Sequence, residues 1–263
     1  MNFINILNHI LRPLEWVVAQ LLTLFHHALV TFGMTAGPSP AWGIAIMCLV
    51  LVIRICLLPL FLSQMRAMQR IQVLQPQIQR IQHKYAARKD PRSKEAVQRE
   101  IMALQQRYNA NPLGSCLPSL IQAPILCSLF YTLQSLPAIA DGNAEPLDGI
   151  DHTMAGDIES SSIFGVRIAD SFGTVASPQS RIIIGVAVAL MCLTLFAIQW
   201  MLIHRNTSKD AMVSPQFRVQ KMTVFVFPAI YVVSGATLPF GVLLYWLTNN
   251  LWNLGQTLCQ LRW

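Results

Sequence analysis

Across 263 residues the chain is 54% hydrophobic and only 12% charged, with 19 Lys/Arg against 12 Asp/Glu and a mean hydropathy of +0.46. A water-soluble domain carries about 25% charged residues, so this composition excludes one and indicates a multi-spanning membrane protein. The pI near 9.3 would suit a nucleic-acid binder, but the placement of the charges points to topology instead. Ser63 to Ser115 carries ten Lys/Arg and three acids, Gln134 to Ser180 one Arg and seven acids, and His204 to Lys221 four Lys/Arg and one acid. Positive loops stay inside, so the first and third segments are expected in the cytosol and the second outside.

Residues 3 to 32 are apolar but striped. Ile4, Leu7, Leu11, Leu14, Val18, Leu21, Phe25, Leu29 and Phe32 share one helical face, and Asn5, Asn8, His9, Arg12, Gln20, Thr23, His26 and His27 the other, with a break expected at Pro13. A helix polar along a whole side suits the membrane surface, so an amphipathic helix at the outer interface is expected; a true extra span is the alternative. The segment lacks the basic start and small-residue cleavage site of a signal peptide. Gly33 to Pro40 reads as a linker.

Trp42 to Leu62 is the first span, 21 residues or about 30 Å as a helix. Its one charge is Arg54, about 12 Å inside the membrane if the helix runs straight to Leu62. None of the twelve acids falls inside a hydrophobic span, so the guanidinium has no intramembrane carboxylate from its own chain, and it cannot lose its proton. Water, neutral polar groups or an arriving ligand must solvate it. The expectation is a hydrated cavity reaching in from the cytosol, with a positive charge at its end. Snorkelling of Arg54 to the nearer headgroups is the bland alternative.

Beyond Leu62, apolar residues recur every three or four positions: Met68, Ile71, Leu74, Ile78, Ile81 and Tyr85, then Val97, Ile101, Leu104 and Tyr108, with turn material at Ala86–Ser93 between. This predicts a cytosolic antiparallel helical hairpin whose first arm is kinked at Pro76. Its basic residues read as a solvated face beside anionic lipid. Four more spans follow: Leu117 to Leu136, with Gln122; Ile182 to Ile203, with Gln199; Met222 to Leu238, with Pro228; and Gly241 to Leu261, with Trp246, Asn249, Asn250 and Gln256. Five crossings put the N-terminus outside and Arg262 in the cytosol.

Sites that would mark an enzyme are missing. There is no phosphate-binding glycine loop and no HExxH. No histidine lies in the middle of the five spans, and the six cysteines lie in or beside apolar runs and read as buried hydrophobes. No catalytic residue, cofactor or metal site is therefore expected. Without a buried acid there is no Asp/Glu proton relay either.

Three stretches resemble one family. WGIAIMCLVLVIRICLLPLFLSQMRAMQRIQVLQPQIQRIQHKY is similar to the first core span and cytosolic hairpin of the YidC/Oxa/Alb insertases, NPLGSCLPSLIQAPILCSLFYTL to their second core span, and FPAIYVVSGATLPFGVLLYWLTNNLWNLGQ to their last two. The resemblance implies an all-α membrane protein of the bacterial cytoplasmic membrane. Its five-transmembrane-helix insertase core carries a groove open to cytosol and lipid, which passes hydrophobic segments of nascent membrane proteins sideways into the bilayer. The groove arginine falls on Arg54, and its polar and aromatic lining on Gln199 and Trp246, with Gln122 and Asn250 also placed there. Helix–helix hydrogen bonding is the alternative role for Gln199 and Gln122, and packing for Trp246.

The implied partners are nascent chains and the lipid bilayer, with the Sec translocon and the ribosome; ribosome contact would be the one approach to nucleic acid. The large extracytoplasmic domain of Gram-negative members is missing, which suits the Gram-positive type. The chain stops at Trp263 without a long basic tail, so direct ribosome docking is not expected unless the hairpin supplies it. The expected map is an interfacial helix and linker at 1–40, spans at 41–62, 116–137, 181–203, 222–239 and 240–263, the hairpin at 63–115, the acidic outer loop at 138–180 and a cytosolic loop at 204–221. The rival function is an anion channel or transporter with Arg54 as its selectivity charge. A mere scaffold would leave Arg54 unexplained.

Overall fold

The computed structural model describes residues 3–85, 90–108, 117–147, 149–206 and 215–262. The elements are α1 (Phe3–Thr31), α2 (Pro40–Cys56), α3 (Leu58–Tyr85), α4 (Pro91–Arg107), α5 (Leu117–Ala140), α6 (His152–Ser160), β1 (Ser162–Ile163), β2 (Val166–Arg167), α7 (Pro178–Asn206), α8 (Pro215–Thr237) and α9 (Phe240–Arg262). The expected turn at Ala86–Ser93 lies outside the described residues at 86–89, as do residues 109–116 and 207–214. The chain divides into two compact units, one of Met1–Ile55, Ala123–Met201 and Lys221–Trp263, the other of Cys56–Gln122 and Leu202–Gln220.

In the first unit the start of α9 is the most deeply packed stretch. Phe240, Val242, Leu243, Leu244 and Tyr245 are all buried. A helix N-terminus leaves backbone N–H groups without intrahelical partners, and here the segment between α5 and α7 supplies the acceptors. Phe240 donates its N–H to the Asp170 carbonyl at 2.7 Å and Gly241 to that of Ile168 at 2.9 Å. Glycine is required at 241, because a Cβ there would come within 2.7 Å of the Ile168 side chain. Ile168, Leu129, Leu133, Trp42, Leu49 and Tyr245 belong to one core cluster, while Ile163, Val166, Ile184, Met191 and Phe240 form another.

The region 138–180, expected only as an acidic loop, is folded. Asp151 caps α6 by accepting the Met154 N–H, which holds its carboxyl below the usual carboxylate range, the Thr153 hydroxyl adding to the effect. Ile150, Ala155 and Ile158 are buried beneath, and β1 pairs with β2 in a short antiparallel hairpin. Alternation over only two residues per strand is too short to show in a sequence.

Three expectations are corrected. The first span is not one helix: α2 ends at Cys56 and α3 begins at Leu58. Pro59 lacks an N–H and its ring would clash with the carbonyl of Ile55 in a continuous helix, but it is tolerated in the first turn of a new one. The Leu57 carbonyl starts that turn by accepting from Phe61 at 2.9 Å. Second, α1 runs unbroken through Pro13 over 29 residues, so the one hydrogen bond the proline removes is outweighed by those of the rest of the helix. Its polar side is divided, with Arg12, Gln20 and His27 exposed. Thr23 and His26 are buried, and the His26 ring stacks on Trp42 at 3.8 Å. Third, Cys56, Cys127 and Cys259 are exposed rather than buried, because helices in lipid need not turn every apolar side chain inward.

Among the described residues, three helices are long and apolar enough to cross a membrane, at Arg12–Thr31, Gln122–Ala140 and Pro178–Leu202, and α2 with Leu58–Arg66 makes a fourth if the broken pair is one span. Val226–Thr237 is a shorter apolar helix.

In the second unit, α3 and α4 meet through Leu74 and Ile78, against which Ile101 and Leu104 pack. Glu100 accepts from Lys84 Nζ at 2.8 Å and from the Tyr85 hydroxyl at 2.7 Å. These bonds hold the Glu100 carboxyl below its usual range and push the Lys84 ammonium above its own. Asp90 caps α4, accepting the Ser93 N–H ahead of Pro91 at the first helical position. α3 is helical through Pro76.

Candidate functional site

The chemistry of the first unit gathers where α9 faces α2 and α8. Arg54 lies in the last turn of α2, where the carbonyl end of the helix favours a cation. With the chain breaking at Leu57, the depth estimated from a straight helix does not apply. The guanidinium is half-buried and donates from both Nε and Nη2 to Asn249 Oδ1 on α9, the Nε bond measuring 2.7 Å. The three ion pairs among the described residues, Lys84–Glu100, Arg99–Glu95 and Arg167–Asp170, do not include it. Buried Tyr245 lies within electrostatic reach of the same guanidinium.

The periodicity of α9 explains the arrangement. Tyr245 and Asn249 are four residues apart and share a face, the one directed at Arg54. Trp246 and Asn250 make the next such pair, about 100° around the axis, and meet Tyr231 of α8. The Tyr231 hydroxyl donates to Asn250 Oδ1 at 3.3 Å, and its ring lies 5.2 Å from that of Trp246. Asn250 is buried, and its Nδ2 has no partner among the described residues. Trp246 packs against both core clusters.

Of the residues picked out in the sequence, Arg54, Trp246 and Asn250 thus come to adjoining faces of α9. Gln199 is half-buried on α7, and no hydrogen bond joins it to Arg54 among the described residues. Gln122 belongs to the second unit and is half-buried. Asn249, Tyr245 and Tyr231 are the residues the sequence reading did not select. The signal for the first two was the four-residue spacing, with Asn249 the polar member of a pair whose other member is aromatic. For Tyr231 there was none.

Chemically, two donors of one guanidinium converge on a single amide oxygen. The bonds to Asn249 are already charge-assisted through the guanidinium, and a carboxylate would add a second oxygen for the same fork and a full opposite charge, so it makes the stronger partner.

A family model described as "60Kd inner membrane protein" matches residues 34–262. The membrane protein insertase YidC of Bifidobacterium longum is 41% identical over 261 residues, which cover 98% of this chain and 77% of that protein. Its namesake from Streptomyces avermitilis is 33% identical, with 98% of this chain and 59% of the relative covered. That of Tropheryma whipplei strain Twist is 32% identical, with 96% and 83% covered.

Proposed function

The chain belongs to the 60Kd inner membrane protein family, that of the YidC insertases, and on that premise we propose that it inserts and chaperones membrane proteins in the cytoplasmic membrane. A hydrophobic segment of a nascent chain enters from the cytosol, its polar flank is held in a hydrated groove, and the segment leaves sideways into lipid. No nucleotide or cofactor is consumed. The topology is five core spans, with α1 at the outer interface, α3 and α4 as an antiparallel cytosolic hairpin, the N-terminus outside and the C-terminus inside. The Sec translocon and the ribosome are proposed partners.

The observation that carries the reading is Arg54 with a neutral partner in place of a carboxylate. A guanidinium whose acceptor is an amide is solvated well enough to persist, and is open to exchange with an incoming Asp or Glu. Arg54, Trp246 and Asn250 are proposed as groove residues, joined by Asn249 as the exchangeable partner; Gln199 and Gln122 are proposed on the resemblance alone. Moving an acidic flank toward a fixed cation, rather than into bare hydrocarbon, lowers its desolvation cost.

The test is photo-crosslinking from a probe at position 54 or 246 to a ribosome-bound nascent membrane protein. Crosslinks that follow the position of the hydrophobic segment support the groove. Crosslinks from neither position, together with chloride flux through the purified protein in liposomes, would overturn insertion in favour of an anion pathway.

A further inference from the structure

The tip of the β1–β2 hairpin takes a conformation that its residue does not favour. Phe164 and Gly165 connect the paired Ile163 and Val166 and both have positive φ, 55° and 82°. Two-residue turns of this kind favour Asn, Asp or Gly at both positions, and a bulky aromatic there is an outlier. Packing within the chain does not account for it, since Phe164 is 76% exposed.

The base of the hairpin is nevertheless firmly placed. Ile163 and Val166 are buried against Ile184 and Phe240, and the Gly165 carbonyl accepts from Ser180 Oγ at 3.1 Å. The tip therefore sits at the first turn of α7. Two residues beyond Ser180, about 3 Å along the axis, a ladder of exposed apolar side chains begins: Ile182, Val186, Leu190 and Leu193. Exposed Arg181 stands between the tip and the ladder. An exposed Phe at the head of an apolar ridge suits the membrane–water boundary, where Phe, Trp and Leu form the lipid-facing side of interfacial segments.

We propose that Phe164 is a lipid anchor, its ring inserted at the interface of the outer leaflet beside α7. The inference rests on the reading of α7 as a span with its first turn outside. The anchor would hold the folded outer segment flat on the bilayer, and with it Ile168, whose carbonyl takes the Gly241 N–H at the start of α9.

The experiment places 4-trifluoromethylphenylalanine at position 164 of the full chain, in liposomes of phosphatidylethanolamine and phosphatidylglycerol. Fluorine relaxation by dissolved oxygen, which concentrates in lipid, is compared with relaxation by a water-soluble nickel chelate. The same probe at Glu145, exposed in the same outer segment, marks water, and at Leu190 marks lipid. An oxygen-to-nickel ratio at 164 several-fold above that at 145 and approaching that at 190 is the expected result. Nickel-dominated relaxation at 164 with oxygen-dominated relaxation at 190 overturns the anchor alone. Protection of 164 from both reagents assigns the ring to a protein partner and overturns it too. Nickel-dominated relaxation at 190 removes the span reading of α7, and the anchor with it.

Discussion

Arg54 and Asn249 are joined by hydrogen bonds across two helices, so at this scale a structural role and a functional role compete for the same side chain. Removing either side chain breaks the bonds that join α2 to α9 here. Asn249→Ala and Arg54→Ala should each lower stability in detergent by about 1–3 kcal/mol, and the double mutant should show a coupling of similar size, read from thermal unfolding. The functional role predicts a different pattern for insertion. Arg54→Lys keeps the charge and should retain most activity, although it loses the planar fork. Arg54→Ala should lose substrates whose translocated flank carries Asp or Glu while sparing neutral flanks, and Arg54→Glu should do worse through like-charge repulsion. Asn249→Ala, which leaves the guanidinium in place, should still insert acidic flanks. Equal failure of Arg54→Ala and Asn249→Ala on acidic and neutral flanks would make the pair a helix clasp and nothing more. The arginine itself was legible from its rarity and from the acid census. Its partner was not, because one chain of amide side chains looks the same in sequence whether it faces a guanidinium, as Asn249 does, or a tyrosine, as Asn250 does.

At the scale of elements, periodicity located the helices and failed at their breaks. Met68–Tyr85 and Val97–Tyr108 carry their apolar stripes into the contact of Leu74 and Ile78 with Ile101 and Leu104. The run from Trp42 to Leu62 has no polar residue where it breaks, so only Pro59 could have shown it. The outer segment was missed altogether, since α6 is nine residues long and its hairpin shorter still. The two prolines of α3 now predict opposite outcomes. Pro59 stands in the first turn, where no intrahelical donor is lost, so Pro59→Ala should change stability by less than about 0.5 kcal/mol. Pro76 stands in the interior, and Pro76→Ala restores a donor to the Gln72 carbonyl. It should stabilise α3 by up to about 3 kcal/mol, seen as slower amide exchange across residues 70–85. The Glu100 site adds a pH dependence. The folded carboxyl titrates below its unfolded value, so its contribution is fully present above the ordinary glutamate range and is lost as pH falls through the lower folded value. Lys84, raised in the fold, loses its contribution only at strongly alkaline pH. Protection of α4 amides, corrected for intrinsic exchange, should therefore weaken on acidification in the native chain. In Glu100→Gln it should be weaker from the start and flat across that range.

For the whole molecule, orientation follows from charge rather than from packing. An antiparallel set of helices is equally well packed in either sense across a bilayer, and the lysines and arginines near the span ends decide which loops stay in the cytosol. Here the decision is lopsided: ten basic residues against three acids in Ser63–Ser115, and one against seven in Gln134–Ser180. The folded segment between α5 and α7 strengthens the case, because its Asp170 and Ile168 carbonyls hold the start of α9, and Ile168 in turn donates to the Ser161 carbonyl at the end of α6, so that these parts cross the membrane or stay behind as a unit. In a chain whose native cysteines are replaced, Glu145→Cys should react in intact cells with a thiol reagent that cannot cross membranes. Arg92→Cys, exposed at the start of α4, should react only after lysis. The discriminating variant moves charge at exposed positions only. Glu145→Lys combined with Arg92→Glu and Lys94→Glu narrows the difference between the two loops by six charges, and a topology set by charge should then become mixed, both sites labelling in part. Unchanged labelling in that variant would mean that folding of the outer segment, not the basic residues, fixes the orientation. Labelling of Arg92→Cys in intact cells would invert the map and place the Arg54 end of α2 on the outer side.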